Sequence, residues 1–200
     1  MHTILNTLHG LSDIIITFGY IGIFITIFAE SGFLLGFFLP GDSLLFTLGI
    51  LAAKGIFNIY YLIGLCIVAA IMGDSFGYYI GNKFGPRLFN REESFFFKKE
   101  YVERTQAFFL KHGKRTIIMA RFVPIVRTFA PILAGVGKMD YKTFLSYNII
   151  GGVVWAGGVL SIAYVLGTKI PGIEDYLGYI IVGIILVSVI PVVIDLLRKH

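Results

Sequence analysis

Three stretches of this chain, 55–73, 143–168 and 176–194, run for nineteen residues or more without a charge. A helix crossing the roughly 30 Å hydrocarbon core needs about 20 apolar residues, at 1.5 Å of rise each. Soluble domains carry about 25% charged residues, whereas this chain carries 14%, with 56% hydrophobic residues. The chain reads as an all-α polytopic membrane protein with three or more transmembrane helices, and disordered, collagen-like and disulfide-rich classes are excluded. Its single cysteine, Cys66, has no internal partner and reads as an apolar filler.

The net charge of +5 comes entirely from one segment, 83–115, where nine Lys and Arg face four Glu. By the positive-inside rule this segment is cytoplasmic, and Arg198 and Lys199 place the C-terminus on the same side. The first fifty residues hold no Lys or Arg, so the first apolar run lacks the basic flank of a signal peptide and is expected in the mature protein. Within 83–115, Phe97, Tyr101, Val102, Thr105, Phe108 and Phe109 share one helical arc, while Lys99, Glu100, Glu103, Arg104, Gln106 and Lys111 share the other. That pattern predicts an amphipathic helix along the cytoplasmic interface.

Two further apolar regions are interrupted at their middles. In 14–53, Glu30 is followed by Ser31, Gly32 and Gly36, then by Pro40-Gly41-Asp42. Proline and glycine end a helix, and Asp42 with Ser43 offers an N-cap for a short returning helix, Leu44 to Ala53. In 116–137, Pro124 and Pro131 divide the apolar run, which also holds Arg121 and Arg127. Each arginine at the centre of a continuous span would cost about 2.5–3.5 kcal/mol. Broken backbone is tolerated at membrane depth only where protein or a water-filled cavity covers it. Both regions therefore read as re-entrant hairpins, with Pro40, Gly41, Pro124 and Pro131 as the breaks. Spanning helices are expected over 55–82, 140–168 and 176–197. With 83–115 cytoplasmic, the first hairpin enters from outside and the second from inside, so that hairpin plus helix occurs twice in opposite orientation. Such inverted repeats build midplane sites in transporters.

Four charges lie at hairpin depth: Glu30 and Asp42 from one side, Arg121 and Arg127 from the other. Intramembrane charges find partners and mark pathways or relays. Arginine suits a phosphate through its planar, bidentate donors, and Glu30 or Asp42 could exchange protons or gate access. A static set of ion pairs pinning the hairpins is the competing reading. Asp74 lies among Gly73, Gly77 and Gly81, whose four-residue spacing suits close helix packing, and is expected to support the site. Gly151, Gly152, Gly157 and Gly158 around Trp155 read as a second packing seam, and Tyr60, Tyr61, Tyr176 and Tyr179 as outer-interface anchors. The four histidines have no metal-ligand spacing, so neither metal nor cofactor is expected.

These residues carry a resemblance. Glu30 with LPGD at 39–42, GDSFGYYIGNKFG from Gly73 and RFVPIVRTFAPILAG from Arg121 are similar to signature segments of the DedA family of bacterial membrane proteins, which share the SNARE-associated (VTT) domain with eukaryotic lipid scramblases. The resemblance spans most of the chain. It implies two opposed re-entrant hairpins in the bacterial inner membrane and the translocation of a phosphate-bearing lipid, such as undecaprenyl phosphate or phosphatidylethanolamine. It also implies a link to proton-motive force in some members. Membrane lipids with anionic or phosphate headgroups, and protons, are the expected partners; nucleic acid is not. An intramembrane lipid-phosphate enzyme would need a nucleophile or metal cluster, which the sequence does not offer, so a non-enzyme is expected. A non-transporting scaffold would tolerate neutralisation of all four charges.

Overall fold

Residues 18–33, 41–89, 116–121, 124–180 and 182–183 are described by the structure, a computed structural model. Among them every regular element is helical: α1 (Phe18–Gly32), α2 (Gly41–Ala53), α3 (Ile59–Phe89), α4 (Thr116–Ala120), α5 (Pro124–Val136), α6 (Tyr141–Gly152) and α7 (Gly158–Lys169). A π-helical turn, Val153–Gly157, joins α6 to α7, so that Tyr141–Lys169 is one continuous apolar rod of 29 residues. This rod and the first 26 residues of α3 are long and apolar enough to cross a membrane. The described residues thus have the make-up of an all-α membrane protein. Pro40, most of the amphipathic 83–115 segment and most of the expected 176–197 helix lie outside the described residues.

Local chemistry sets the helix boundaries. The Asn58 side chain accepts from the backbone N–H of Tyr60 at 2.9 Å and of Tyr61 at 3.3 Å, satisfying two orphan donors at the start of α3. The chain before it turns through Gly55 at φ +79°, where a side chain would be strained, so the helix expected from residue 55 begins at Ile59. At the other end of the bundle Asp140 caps α6, accepting from Thr143 N at 2.9 Å. Two expectations need correction. Asp42 is no N-cap: α2 already begins at Gly41, and the Asp42 carboxylate is drawn to charged and aromatic donors on other helices. Pro131 is no break: it lies inside α5, whereas the chain breaks between α4 and α5 and Pro124 opens the new helix. Proline is tolerated at a first helical position because its missing N–H would be unpaired anyway.

Close contacts give the helix directions. Tyr78 stacks on Phe144, Ile71 meets Gly152, and Ile67 and Ile63 meet Gly157, so α3 and the α6–α7 rod run antiparallel. α1 starts beside Phe57, where Tyr20 packs edge-on, and reaches the middle of α3 at Gly32, whose added Cβ would stand 2.9 Å from Gly73 O. α2 starts at that depth and runs parallel to α7, with Gly49 against Ala163 and Gly167 against Ala53. On the opposite half, α4 reaches the middle from the Phe144 end, and α5 returns parallel to α3, with Gly77 facing Pro131 and, further along both helices, Asn82 N facing Gly135. The α2–α7 and α3–α5 pairs make extensive helix contacts. At the Gly81 and Gly135 crossings a Cβ would overlap the facing backbone, the close approach that small residues permit.

Two apolar clusters result. The larger gathers Ile27, Leu45, Leu62, Cys66, Trp155 and Leu160 with their neighbours; the smaller gathers Tyr78, Ile117, Ala134 and Phe144. Cys66 is fully buried within the first. Tyr60, Tyr61, Tyr176 and Tyr179 are exposed together at one end of the bundle.

Candidate functional site

A layer of buried polar side chains separates the two apolar clusters. It forms where α1 and α4 end and α2 and α5 begin, against the middles of α3 and the α6–α7 rod. Arg127, in the first turn of α5, donates through Nη1 to Asp42 Oδ1 at 2.8 Å and through Nη2 to Glu30 Oε1. One guanidinium fork therefore spans carboxylates from α1 and α2. Glu30 is 1% exposed, and its Oε2 is buried without a partner among the described residues. Gly41 makes room for that carboxylate: any Cβ there would occupy the place of the Glu30 carboxylate.

Arg121 sits in the turn after α4 and makes different bonds. Its Nη2 reaches Asp74 Oδ2 on α3 and Asn148 Oδ1 on α6, all three residues being buried. Trp155 lies between the arginines. Its ring centroid is 4.7 Å from Arg127 Cζ and 5.9 Å from Arg121 Cζ, within cation–π range of both. Its Nε1–H donates to Asp42 Oδ1 at 2.8 Å, so this one oxygen receives both the arginine and the indole. The π turn that carries Trp155 adds a residue to the helical register, a feature common at functional sites.

Glu30, Asp42, Arg121 and Arg127 thus meet in one layer, but as two clusters, and Asp74 is a direct partner of Arg121. Three carboxylates face two guanidinium groups, one negative charge in excess when all are ionised. The sequence analysis does not single out Asn148, and it reads Trp155 only as the centre of a packing seam. A tryptophan at mid-span, away from the interfaces where tryptophan collects, needs an acceptor for its N–H, and a lone asparagine inside an uncharged span needs partners too; both signals were present. The glycine seam around Trp155 holds in part: Gly152 packs against Ile71 and Gly157 against Ile67 and Ile63 of α3, whereas Gly158 faces open space and Gly151 borders the Arg121 side chain, where bulk would displace the guanidinium.

Residues 39–165 match the family model of the VTT domain. Protein DedA of Escherichia coli strain K12 is 44% identical over 193 residues, covering 94% of this chain and 88% of that protein. A Mycobacterium leprae protein described as an uncharacterized membrane protein is 48% identical over 170 residues, covering 85% and 76%. One from Synechocystis, described in the same words, is 32% identical over 174 residues, covering 86% and 78%. No solved structure matches the chain.

Proposed function

This chain belongs to the DedA family of VTT-domain membrane proteins, and from that premise we propose that it carries a phosphate-bearing lipid across the bacterial inner membrane in exchange with protons. The observation that carries the reading is the Arg127 cluster, a bidentate donor at mid-span held by two carboxylates rather than by one. A guanidinium that can clasp two carboxylates can equally clasp a phosphate monoester. Asp42 is its accessible member, with 28% of its side chain exposed against 1% for Glu30.

On this reading the carboxylates occupy Arg127 when no lipid is bound. The surplus acid gives the layer a place for a proton, because an uncompensated charge at membrane depth is costly. Proton uptake by Glu30 or Asp42 weakens its hold on Arg127 and lets a lipid phosphate take its place; loss of the proton reverses the exchange. The α1–α2 and α4–α5 pairs act as opposed re-entrant hairpins of an inverted repeat. Supporting that arrangement, each pair approaches the layer from a different end, and its returning helix runs parallel to the long helix of the other half. The 83–115 segment and the C-terminus face the cytoplasm in this scheme. The headgroup slides along the polar layer while the acyl or prenyl chains stay in lipid, and no bond is made or broken.

Purified full chain in proteoliposomes is expected to move a fluorescent polyprenyl phosphate or phosphatidylethanolamine between leaflets, faster with an imposed pH gradient. A neutral glycolipid of matching chains should move no faster than in empty vesicles. Equal rates for the charged and neutral lipids would reject phosphate recognition, and rates no higher than those of empty vesicles for every lipid would favour the scaffold.

A further inference from the structure

The two buried arginines are not equivalent. Arg127 faces two carboxylates, one of them partly exposed and the other with a buried oxygen that has no partner among the described residues. Arg121 faces one carboxylate, Asp74, and the two side chains are each 5% exposed, a neutral and sealed pair. Its second acceptor, Asn148 Oδ1, belongs to a fully buried amide. The Nδ2 of that amide donates to Ile71 O at 3.1 Å and Ser75 Oγ at 3.4 Å, tying α6 to α3. Arg121 Nε is buried without a partner among the described residues, but it is walled off by α6: a Cβ on Gly151 would stand 2.9 Å away. A headgroup approaching Nη2 would have to displace Asp74 and Asn148 together.

From this asymmetry we infer that Arg121 is a positioning residue rather than a phosphate ligand, and that Asp74 and Asn148 complete a neutral latch around it. The latch pins the break between α4 and α5 to the middles of α3 and α6. It thereby fixes the start of α5, where Arg127 must reach Glu30 and Asp42 across the bundle. The inference rests on the transport reading of the Arg127 cluster, but the coupling among Arg121, Asp74 and Asn148 is measurable without transport.

Two double variants separate pairing from chemistry. D74N/N148D moves the carboxylate from one side of Arg121 to the other, from α3 to α6, and R121M/D74L removes both charges together. Thermal unfolding and lipid flux are measured for both, and for R121M, D74L, D74N and N148D alone, in the purified full chain. Each single variant should unfold at lower temperature and lose at least about tenfold in flux, because it leaves a buried charge unpaired or a buried pair broken. Both doubles should regain thermal stability, and D74N/N148D should recover flux to within about threefold of wild type, as a strongly coupled pair requires. A stably folded D74N/N148D that transports no better than D74N would make the Asp74 carboxylate itself a participant and overturn the assignment. If neither double is more stable than its parent singles, the latch does not exist. If the wild-type chain moves no lipid, the transport reading fails, and the stability comparison alone decides the latch.

Discussion

Arg127→Lys is expected to lose nearly as much transport as Arg127→Ala. The arginine uses two separate nitrogens, Nη1 to Asp42 and Nη2 to Glu30, while its Cζ lies 4.7 Å from the centre of the Trp155 ring. A lysine ammonium is a point charge on a flexible stem; it can neither span two carboxylates in a fixed fork nor stack in the same way. Breaking a buried pair from one side costs about 3–5 kcal/mol. Transport measured on the folded fraction should therefore fall about 100-fold or more in both variants. Near-normal flux with lysine would mean that positive charge suffices and that the fork has no role.

Neutralising the acids should give a comparably large loss through a different route. Glu30→Gln and Asp42→Asn preserve shape, and each amide keeps a carbonyl oxygen able to accept from Arg127. In Asp42→Asn that oxygen can also keep the Trp155 bond, which spans 2.8 Å in the native chain. Folded protein should therefore accumulate. The exchange of a proton against the Arg127 bond is removed, so flux driven by an imposed pH gradient should fall at least about tenfold, in keeping with the 1.5–3 kcal/mol of a charged hydrogen bond. The larger effect belongs at Glu30, the sealed member with the unpartnered oxygen. Wild-type flux in both variants would remove the carboxylates from the cycle.

The sequence disclosed the depth of these groups better than their pairing. Glu30, Asp42, Arg121 and Arg127 stand out because charge is expensive in an apolar run, and their neighbouring glycines and prolines mark interrupted helices. Which acid meets which base depends on the crossing of helices far apart in the chain: Arg127 and Glu30 are 97 residues apart, Arg121 and Asp74 are 47 apart. No local pattern encodes that. Pro131 shows the limit of punctuation, since a proline inside a helix is compatible with the fold when surrounding packing compensates for the lost hydrogen bond. Asp42 shows the limit of capping rules, because a buried arginine and an indole compete successfully with the helix's own N–H groups. Gly73 and Gly81 were legible as packing positions from their spacing alone; the sequence places Gly41 at a break and Gly151 in a packing seam without disclosing what faces them. Their need for hydrogen in place of a side chain comes from the Glu30 carboxylate and the Arg121 side chain beside them.

Trp155 is the only tryptophan in the chain and touches both Arg127 and Asp42, so its fluorescence reads the proposed exchange at the place where it occurs. Titrating the purified protein in neutral detergent with a short-chain alkyl phosphate should shift the emission saturably. An alkyl glucoside of the same chain length should leave it unchanged, and Arg127→Lys should abolish the response. An emission spectrum that does not move with alkyl phosphate while the same preparation transports phosphate-bearing lipid, or a full response in Arg127→Lys, would contradict a phosphate site at Arg127.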